Sequence, residues 1–275
     1  MSISVQNNSS ALLALQNLNR TNEQLTNVQD QISTQLSVGQ AEDNPSVWAT
    51  AQGQSSQING LASVTDSLDR ASSISDVALN AGQTVTDLLD QLKAQTLSAQ
   101  DPQLSTNDRA SLNTDFTGLL SRISTTLSSA SFDGANLLDG SGGDLRFMAT
   151  SDASQMMTLS AQNLSLGGSI ITVPSTASIT TAASASAVMS QIDASISNVT
   201  SALAEIGDQA SMISSHSQLV TNLSTVLQTG RGNLVDADTA ADSATLAALQ
   251  VKQQLGEQSL NIANSLPQVL LSLFK

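Results

Sequence analysis

Apolar residues recur along much of this chain at alternating spacings of three and four, the spacing of one face of a packed helix. A strand would instead alternate apolar and polar residues at every second position. Three internal stretches follow the helical period: Ile192, Ile196, Val199, Leu203, Ile206, Ala210 and Ile213; Ile74, Val77, Ala81, Val85, Leu88 and Leu92; and Leu112, Phe116, Leu119, Ile123 and Leu127. The pattern therefore predicts long amphipathic helices that pair as in coiled coils.

The two ends of the chain follow the same period and are apolar on further faces as well. The periodic positions are Leu18, Leu25, Val28 and Ile32 at one end and Leu255, Ile262, Leu266, Val269 and Leu273 at the other, and the extra apolar positions include Leu12, Leu15, Leu270 and Phe274. A helix that is apolar on more than one face must be covered on more than one side. Either the ends pair with each other and then with other copies of the chain, or they pack within an ordinary antiparallel bundle.

Helix-breaking signals fall between the periodic stretches. Asp43-Asn44-Pro45 predicts a helix that begins at Pro45 with Asn44 as its cap, and Asp101-Pro102 predicts the end of that helix. Ser105 followed by Asp108 resembles a capping box that starts the next helix. The glycines in 230–233 predict the end of the fourth helix.

The middle of the chain has a different pattern. Between residues 132 and 174 the helical period is lost, glycines recur, and 145–149, 156–160 and 169–173 have strand-like composition. We therefore predict a mainly α fold: long antiparallel helices forming a coiled-coil bundle, with a small central β-hairpin region.

Composition limits the possible chemistry. The 275-residue chain has 23 Asp and Glu against 9 Lys and Arg, a formal charge of -14, and it has no Cys and a single His, His216. These counts argue against disulfides, thiolate or multi-histidine metal sites and an enzyme active site, so we expect no cofactor. The acidic balance argues against nucleic acid as a partner, and the short apolar runs argue against membrane insertion and a Sec-type signal.

Several blocks of sequence, in this order, resemble the bacterial flagellins, in particular the short alphaproteobacterial (Caulobacter-like) type without outer variable domains. The blocks are 8–18, Ile32-Ser33-Thr34, 41–44 followed by Trp48, Phe132-Asp133-Gly134 with the rest of 132–140, 232–238, 249–256 and the closing 270–275. They cover nearly the whole chain, and their joint order is more specific than any one of them.

The resemblance implies a division of the chain. Residues 1–33 and 231–275 would form the two halves of an inner coiled-coil domain, 34–47 a spoke, 48–131 the helical half of a second domain, 132–180 its β-hairpin region and 181–230 its returning helix. The expected assembly interface comprises Leu12, Leu15, Leu18, Leu25, Val28, Ile32, Leu255, Ile262, Leu266, Val269, Leu270, Leu273 and Phe274, the spoke includes Asp43, Asn44 and Trp48, and the second-domain core includes Leu88, Leu92, Phe116, Ile123, Phe132, Ile196, Leu203 and Ile206.

The function implied is mechanical: a structural subunit of the flagellar filament, a helical tube that acts as a propeller for swimming. The implied partners are further copies of the chain, paralogous flagellins, the filament cap and hook-associated proteins, the flagellar type III exporter and a secretion chaperone, and the implied location is the extracellular filament. Two alternatives are a hook–filament junction protein and, more distantly, a coiled-coil adaptor or signalling protein.

The sequence departs from the family pattern at two places. Near the spoke, Gln35 lies where relatives usually carry Gly, Gln40 where they carry Ser and Glu42 where they carry Lys, and Gln31 replaces the Arg before Ile32. The Arg-Glu pair that a vertebrate immune receptor reads in many flagellins falls on Gln95 and Thr96, before Leu97, so the arginine charge is missing. We expect weak activation of that receptor, and a reporter-cell assay with purified monomer tests this.

Overall fold

A computed structural model describes the backbone of residues 8–273 and the side chains of residues 8–265. Within these residues the helices are α1 (Ser9–Thr34), α2 (Pro45–Ala99), α3 (Thr106–Ser129), α4 (Ala182–Val235) and α5 (Thr239–Leu273), and the strands are β1 (Ser131–Phe132), β2 (Ala135–Asn136), β3 (Leu145–Met148) and β4 (Met156–Leu159). β1 pairs with β2 and β3 with β4, both antiparallel. The predicted fold class, mainly α with a small β-hairpin region, is confirmed.

Side-chain caps fix several of the helix ends. The Asn44 carboxamide oxygen accepts a bond of 3.2 Å from the Val47 N–H at the start of α2. The Ser105 hydroxyl oxygen accepts a bond of 3.2 Å from the Asp108 N–H at the start of α3, as the capping box predicts. At the end of α2, the Arg109 side chain donates from Nε to the Ala99 carbonyl oxygen at 2.9 Å.

The predicted end of the fourth helix at 230–233 is wrong, because α4 continues to Val235. Two glycines inside a helix cost about 2 kcal/mol relative to alanine. A close contact favours one of them: a Cβ on Gly232 would lie 2.7 Å from Asp236 Oδ2, whereas a Cβ on Gly230 would meet no atom closer than 4.0 Å. Between the two glycines, the Arg231 guanidinium donates to the Ser55 hydroxyl of α2 at 3.4 Å. A local contact at Gly232 and one tertiary hydrogen bond of Arg231 thus accompany the continuation of α4 past these glycines.

The predicted strand at 169–173 is also wrong. Ile171 and Val173 are fully buried, so the alternating pattern is real. However, the Thr172 N–H donates to the Ser195 hydroxyl of α4 at 3.0 Å instead of to a neighbouring strand. The segment therefore alternates buried and less buried side chains as a strand does, but it packs against α4 and does not pair with another strand.

A short hairpin, β1–β2, was not predicted although its turn has a recognisable sequence. Asp133 and Gly134 have φ of 50° and 76°, as a two-residue type I′ turn requires, and Asp-Gly is a favoured pair for that turn. The hairpin holds Phe132 at the surface with 41% of its area exposed, so the assignment of Phe132 to the second-domain core is wrong. The two-residue strand pairs it only with Ala135 and offers no second layer to cover the ring.

The chain divides into two compact units, one of Met1–Ser56 with Val226–Lys275 and one of Gln57–Thr225. The core of the second unit is aliphatic apart from Phe116 and Phe147, and the predicted core residues Leu88, Leu92, Phe116, Ile123 and Ile206 are buried there. Ile196 and Leu203 are half-buried. α2 and α4 are antiparallel in this unit, since Lys93 Nζ lies 2.7 Å from Asp193 Oδ1 and Leu203 packs over Gly82.

The β3–β4 hairpin is attached to both long helices of the second unit. The Met148 N–H donates to the Ser67 hydroxyl of α2 at 3.0 Å, and the Ser160 N–H donates to the Gln209 carboxamide of α4 at 2.8 Å. His216 Nε2 lies 2.7 Å from the Ala149 carbonyl oxygen. These bonds give hydrogen-bond partners to backbone N–H and carbonyl groups at the edges of the hairpin, which are unpaired in an ordinary edge strand.

Candidate assembly surface

α1 and α5 pair as antiparallel helices in the first unit. The Asn8 side chain donates from Nδ2 to the Ala263 carbonyl oxygen at 2.8 Å, and Gln253 Nε2 donates to Asn22 Oδ1 at 2.9 Å. Between these bonds Leu18 fits against Gly256, where an added Cβ would lie 3.2 Å from Leu18 Cδ1. Polar partners inside an apolar seam fix one register, because a shifted pairing would bury the amides without partners.

The seam between these helices uses one narrow face of each. On α1 the less exposed positions recur at spacings of three and four, and they are Ala11, Ala14, Leu18, Thr21, Leu25, Val28 and Ile32. On α5 the corresponding positions are Leu246, Leu249, Gln253, Gly256, Leu260 and Ala263. Leu249 and Ala263 are the buried members, and neither is among the residues predicted to form the assembly interface.

A second set of apolar side chains lies on other faces of the same helices. Leu12 is 70% exposed, and Leu255 and Ile262 are 59% and 58% exposed. Leu13, Leu15 and Val251 are exposed with them. The expected assembly residues therefore separate into two groups: Leu18, Leu25, Val28 and Ile32 lie in the seam, while Leu12, Leu15, Leu255 and Ile262 do not. The side chains of Leu266, Val269, Leu270, Leu273 and Phe274 lie outside the described residues.

Backbone bonds join the two segments that follow α1 and α4. Leu36 and Asp236 form an antiparallel bridge, and the Val235 carbonyl oxygen accepts from the Ser37 N–H at 2.7 Å. The Ala237 N–H donates to the Gln35 carbonyl oxygen at 3.0 Å. We call residues 35–38 with 235–237 the clasp. It holds together the ends of α1 and α5 that lie nearest each other in the antiparallel pair.

The predicted spoke residues follow the clasp and start α2. Asp43 Oδ2 accepts from the N–H groups of Gly39 and Gln40 at 2.9 and 3.0 Å, which closes a tight loop. Asn44 caps α2, and Trp48 lies in its first turn with 37% of its area exposed. The Asp43 and Asn44 side chains thus fix the local backbone by accepting hydrogen bonds from N–H groups. The Trp48 ring instead exposes apolar surface.

The three residues at the position of the immune-receptor patch differ in exposure. Thr96 is fully buried, and its hydroxyl donates to the Leu92 carbonyl oxygen at 2.7 Å. Leu97 is exposed and Gln95 is half-buried. Of the two positions that carry charge in the family pattern, one is thus inaccessible and the other has a neutral carboxamide.

Two titratable side chains have a pKa that their neighbours shift. The Asp193 carboxylate raises the pKa of the exposed Lys93 by hydrogen bonding and by its charge. The Thr150 hydroxyl and the N–H and hydroxyl of Ser154 lower the pKa of the exposed Asp152 to about 2. Among the described residues there is no group of three or more acidic, His or Cys side chains placed to hold a metal, and no helix long and apolar enough to cross a membrane.

Two family models match the chain: the bacterial flagellin N-terminal helical region over residues 5–142 and the C-terminal helical region over residues 189–274. Flagellin FljJ of Caulobacter vibrioides is 46% identical over 100% of this chain and 99% of that protein. Flagellin FljO of the same species is 44% identical over 99% and 98%. A flagellin of Brucella melitensis is 33% identical over 99% of each chain.

Two solved structures share the fold. A Bacillus cereus flagellin crystal structure matches with a TM-score of 0.51 and 19% identity, covering 56% of this chain and 88% of that one. A structure described as a flagellar hook-associated protein of Vibrio parahaemolyticus matches with a TM-score of 0.59 and 14% identity, covering 70% and 100%. At these identities the likeness concerns the fold alone. The family models and the full-length identity to flagellins decide the assignment: this chain belongs to the bacterial flagellin family.

Proposed function

We propose that this chain is a structural subunit of the flagellar filament and that it polymerises through the outer faces of α1 and α5. The observation that carries the proposal is the exposed apolar surface that remains after these helices have paired. Leu255 and Ile262 lie seven residues apart on α5 and are more than half exposed, as is Leu12 on α1. Exposed apolar rows on an already paired helix are typical of surfaces that bind further protein.

The family assignment supports a further copy of this chain, or of a related flagellin, as the protein that binds this surface. A filament is a helical polymer in which one surface of a subunit binds a different surface of the next, so the contacts do not close into a ring. The exposed apolar residues of α1 and α5 suit such contacts, because they take no part in the seam between these two helices. We propose the same surface for mixed filaments with paralogous flagellins, since the Caulobacter relatives match over almost their whole length.

The remaining partners follow from the proposed role. We propose that the subunit reaches the extracellular filament through the flagellar type III exporter with a secretion chaperone, and that it adds to the filament below the cap and beyond the hook-associated proteins. The likeness to a hook-associated structure at 14% identity does not favour a junction role, because the full-length sequence identity is to flagellins.

Polymerisation of a double variant tests the proposal. Leu255→Gln with Ile262→Gln removes two exposed apolar side chains and leaves the helix-forming tendency of α5 nearly unchanged. Heat-dissociated monomer is mixed with short filament seeds, and the critical concentration is measured by sedimentation, with electron microscopy of the pellet. Removal of two side chains that bury about half their area raises the critical concentration by about tenfold or more.

The matched control is Gln254→Ala with Asn261→Ala, which changes two exposed polar side chains of the same helix. This variant is expected to polymerise like the wild type. If Leu255→Gln with Ile262→Gln assembles at the wild-type concentration, the outer face of α5 is not an assembly surface. If the wild-type chain forms no filaments from seeds, the proposed function itself fails.

A further inference from the structure

The turn of the β1–β2 hairpin holds the peptide bond between Asp133 and Gly134 at the surface. Both residues are exposed, and a Cβ added to Gly134 would meet no atom within 4 Å. In an Asp-Gly pair the side-chain carboxyl is open to attack by the next backbone nitrogen, because glycine has no Cβ to hinder the approach. Such an attack leads to isoaspartate, a backbone modification that needs no enzyme and no oxidant.

The turn already has one of the two dihedral angles that this attack requires. The carboxyl carbon reaches the next nitrogen when Cβ and that nitrogen are eclipsed about the Cα–C bond. For an L-residue this is the ψ of about −120° that the first central residue of a type II′ turn adopts together with φ of about +60°. Asp133 has φ of 50°. A flip of the Asp133–Gly134 peptide plane therefore converts the type I′ turn into type II′, and both turns fit the same pair of strands.

The chain has two other pairs of this kind, and the structure restrains both. Asp139, which precedes Gly140, has no positive φ, and its Oδ1 accepts from the N–H and the hydroxyl of Ser141 at 2.8 and 2.7 Å. The Asn163 side chain packs so closely against Gly140 that an added Cβ would overlap it. Asn59-Gly60 lies inside α2, where the helix holds ψ near about −42°, far from the angle needed.

We infer that Asp133 is a site at which the folded chain isomerises to isoaspartate. The Gly134 nitrogen attacks Cγ of the uncharged carboxyl, the N–Cγ bond forms, a Cγ–O bond breaks, and the amide hydrogen leaves with the hydroxyl as water. A second water then opens the five-membered imide. Attack at Cγ restores aspartate, whereas attack at the backbone carbonyl carbon leaves the chain connected through Cβ and Cγ, with a free α-carboxylate.

Arg70 of α2 restrains this reaction. Its Nε lies 2.9 Å from Asp133 Oδ2, and the two side chains are 52% and 61% exposed. Ring closure consumes the carboxylate and therefore breaks this ion pair. Since exposed ion pairs contribute little, the restraint slows the reaction by about twofold to fivefold and does not prevent it.

The modification would disrupt a small and well-defined part of the fold. Isoaspartate adds one atom to the backbone of the turn, and the strands that the turn joins pair over only two residues each. Beyond them Asn136 holds the chain, because its Nδ2 donates to the Leu127 carbonyl oxygen at 2.7 Å and its Oδ1 accepts from the Leu138 N–H at 2.8 Å. The loss of structure is therefore confined to residues 131–135, which include the exposed Phe132.

Prolonged incubation of the full-length chain tests the inference with an internal control. Asp133 and Asp139 lie in one tryptic peptide, residues 123–146, and mass spectrometry with electron-transfer fragmentation locates isoaspartate at either position. In the folded chain we expect isoaspartate to accumulate several-fold faster at Asp133 than at Asp139. In chain unfolded in urea the two rates should be similar. If folding does not raise the ratio of the two rates, the inference is overturned.

Asp133→Asn tests the conformation separately from the leaving group. Asn-Gly is also favoured in type I′ turns, so the hairpin is retained, and the same ring closes with loss of ammonia. Because an amide reacts without prior protonation of a carboxylate, this variant should form isoaspartate at position 133 several-fold faster than the wild type. If the folded variant forms none there, the turn does not reach the ring-closing angle and the inference fails.

Arg70→Gln tests the restraint. This variant should form isoaspartate at Asp133 about twofold to fivefold faster than the wild type. The matched control Lys93→Gln removes the other exposed ion pair of α2, with Asp193, and should leave the rate unchanged. An unchanged rate in Arg70→Gln, or an equal rise in both variants, would contradict the role assigned to Arg70.

Discussion

At the scale of single residues, the most informative position is Gln35. It ends α1 in a left-handed conformation, with φ 60° and ψ 19°. A side chain with a Cβ costs about 1–2 kcal/mol in this region, whereas glycine adopts it without strain. The clasp over-determines this conformation, because the Gln35 carbonyl oxygen accepts from the Ala237 N–H and the next residue, Leu36, bridges Asp236.

Gln35→Gly is therefore expected to stabilise the first unit by about 1 kcal/mol, after the greater unfolded-state entropy of glycine is subtracted from the relieved strain. Hydrogen exchange of the α1 amides measures the change. The control Gln24→Gly lies at an exposed position inside α1 and is expected to destabilise it by about 1 kcal/mol. Equal destabilisation by both variants would mean that Gln35 is unstrained.

Residue-level prediction from the sequence succeeded where local rules decide and failed where packing decides. The caps at Asn44 and Ser105 depend on their own neighbourhood, and both form as the spacing predicts. Leu18 and Leu15, by contrast, are both leucines in one apolar helix, and only the position of Gly256 on α5 shows that Leu18 is the one in the seam. The resemblance to flagellins implied that Phe132 belongs to the core, but the two-residue turn beside it leaves the ring exposed.

At the scale of elements, the long helices approach one another where a glycine makes room. A Cβ built on Gly82 of α2 would overlap Leu203 Cδ2 of α4, so the helices are as close as this side chain allows. The salt bridge between Lys93 and Asp193 also joins α2 to α4, but an exposed ion pair contributes little to the free energy of unfolding. Close packing at Gly82 therefore carries more of the stability here than the charges do.

Gly82→Ala is expected to destabilise the second unit by about 1–2 kcal/mol, because the displacement of Leu203 outweighs the better helix propensity of alanine. Urea unfolding followed by circular dichroism measures this. The control Gly118→Ala changes an exposed glycine of α3 with no atom near the new Cβ, and it should stabilise the unit by about 0.5–1 kcal/mol. Stabilisation by both variants would show that Leu203 moves aside freely.

An element could be predicted from the sequence when its periodic pattern repeats over many residues. Helical stretches of four or more turns left a clear pattern, and α1 to α5 are found where that pattern lies. The region 169–173 has a strand pattern without a strand, because the Ser195 hydroxyl of α4 takes the place of a sheet partner. A one-dimensional pattern reports which side chains are buried, but the partner of each backbone N–H is set by the tertiary fold.

At the scale of the whole molecule, the acidic charge is unevenly distributed. The unit of residues 57–225 carries -10 of the total -14. α1 and α5, which carry the proposed assembly surface, contain few charges: Arg20, Glu23 and Asp30 on α1, and Asp242, Lys252 and Glu257 on α5. Apolar contact between copies is therefore opposed mainly by repulsion between the acidic units.

This balance predicts a salt dependence of polymerisation. Raising NaCl from 10 to 150 mM shortens the Debye length from about 30 to about 8 Å, so repulsion between neighbouring acidic units is screened. The critical concentration should fall several-fold, while the melting temperature of the monomer changes little because most carboxylates are exposed and unpaired in both states. Sodium sulfate at equal ionic strength distinguishes the cause. An equal effect of the two salts indicates screening, whereas a much larger effect of sulfate would assign the change to strengthened apolar contacts and would contradict the electrostatic account.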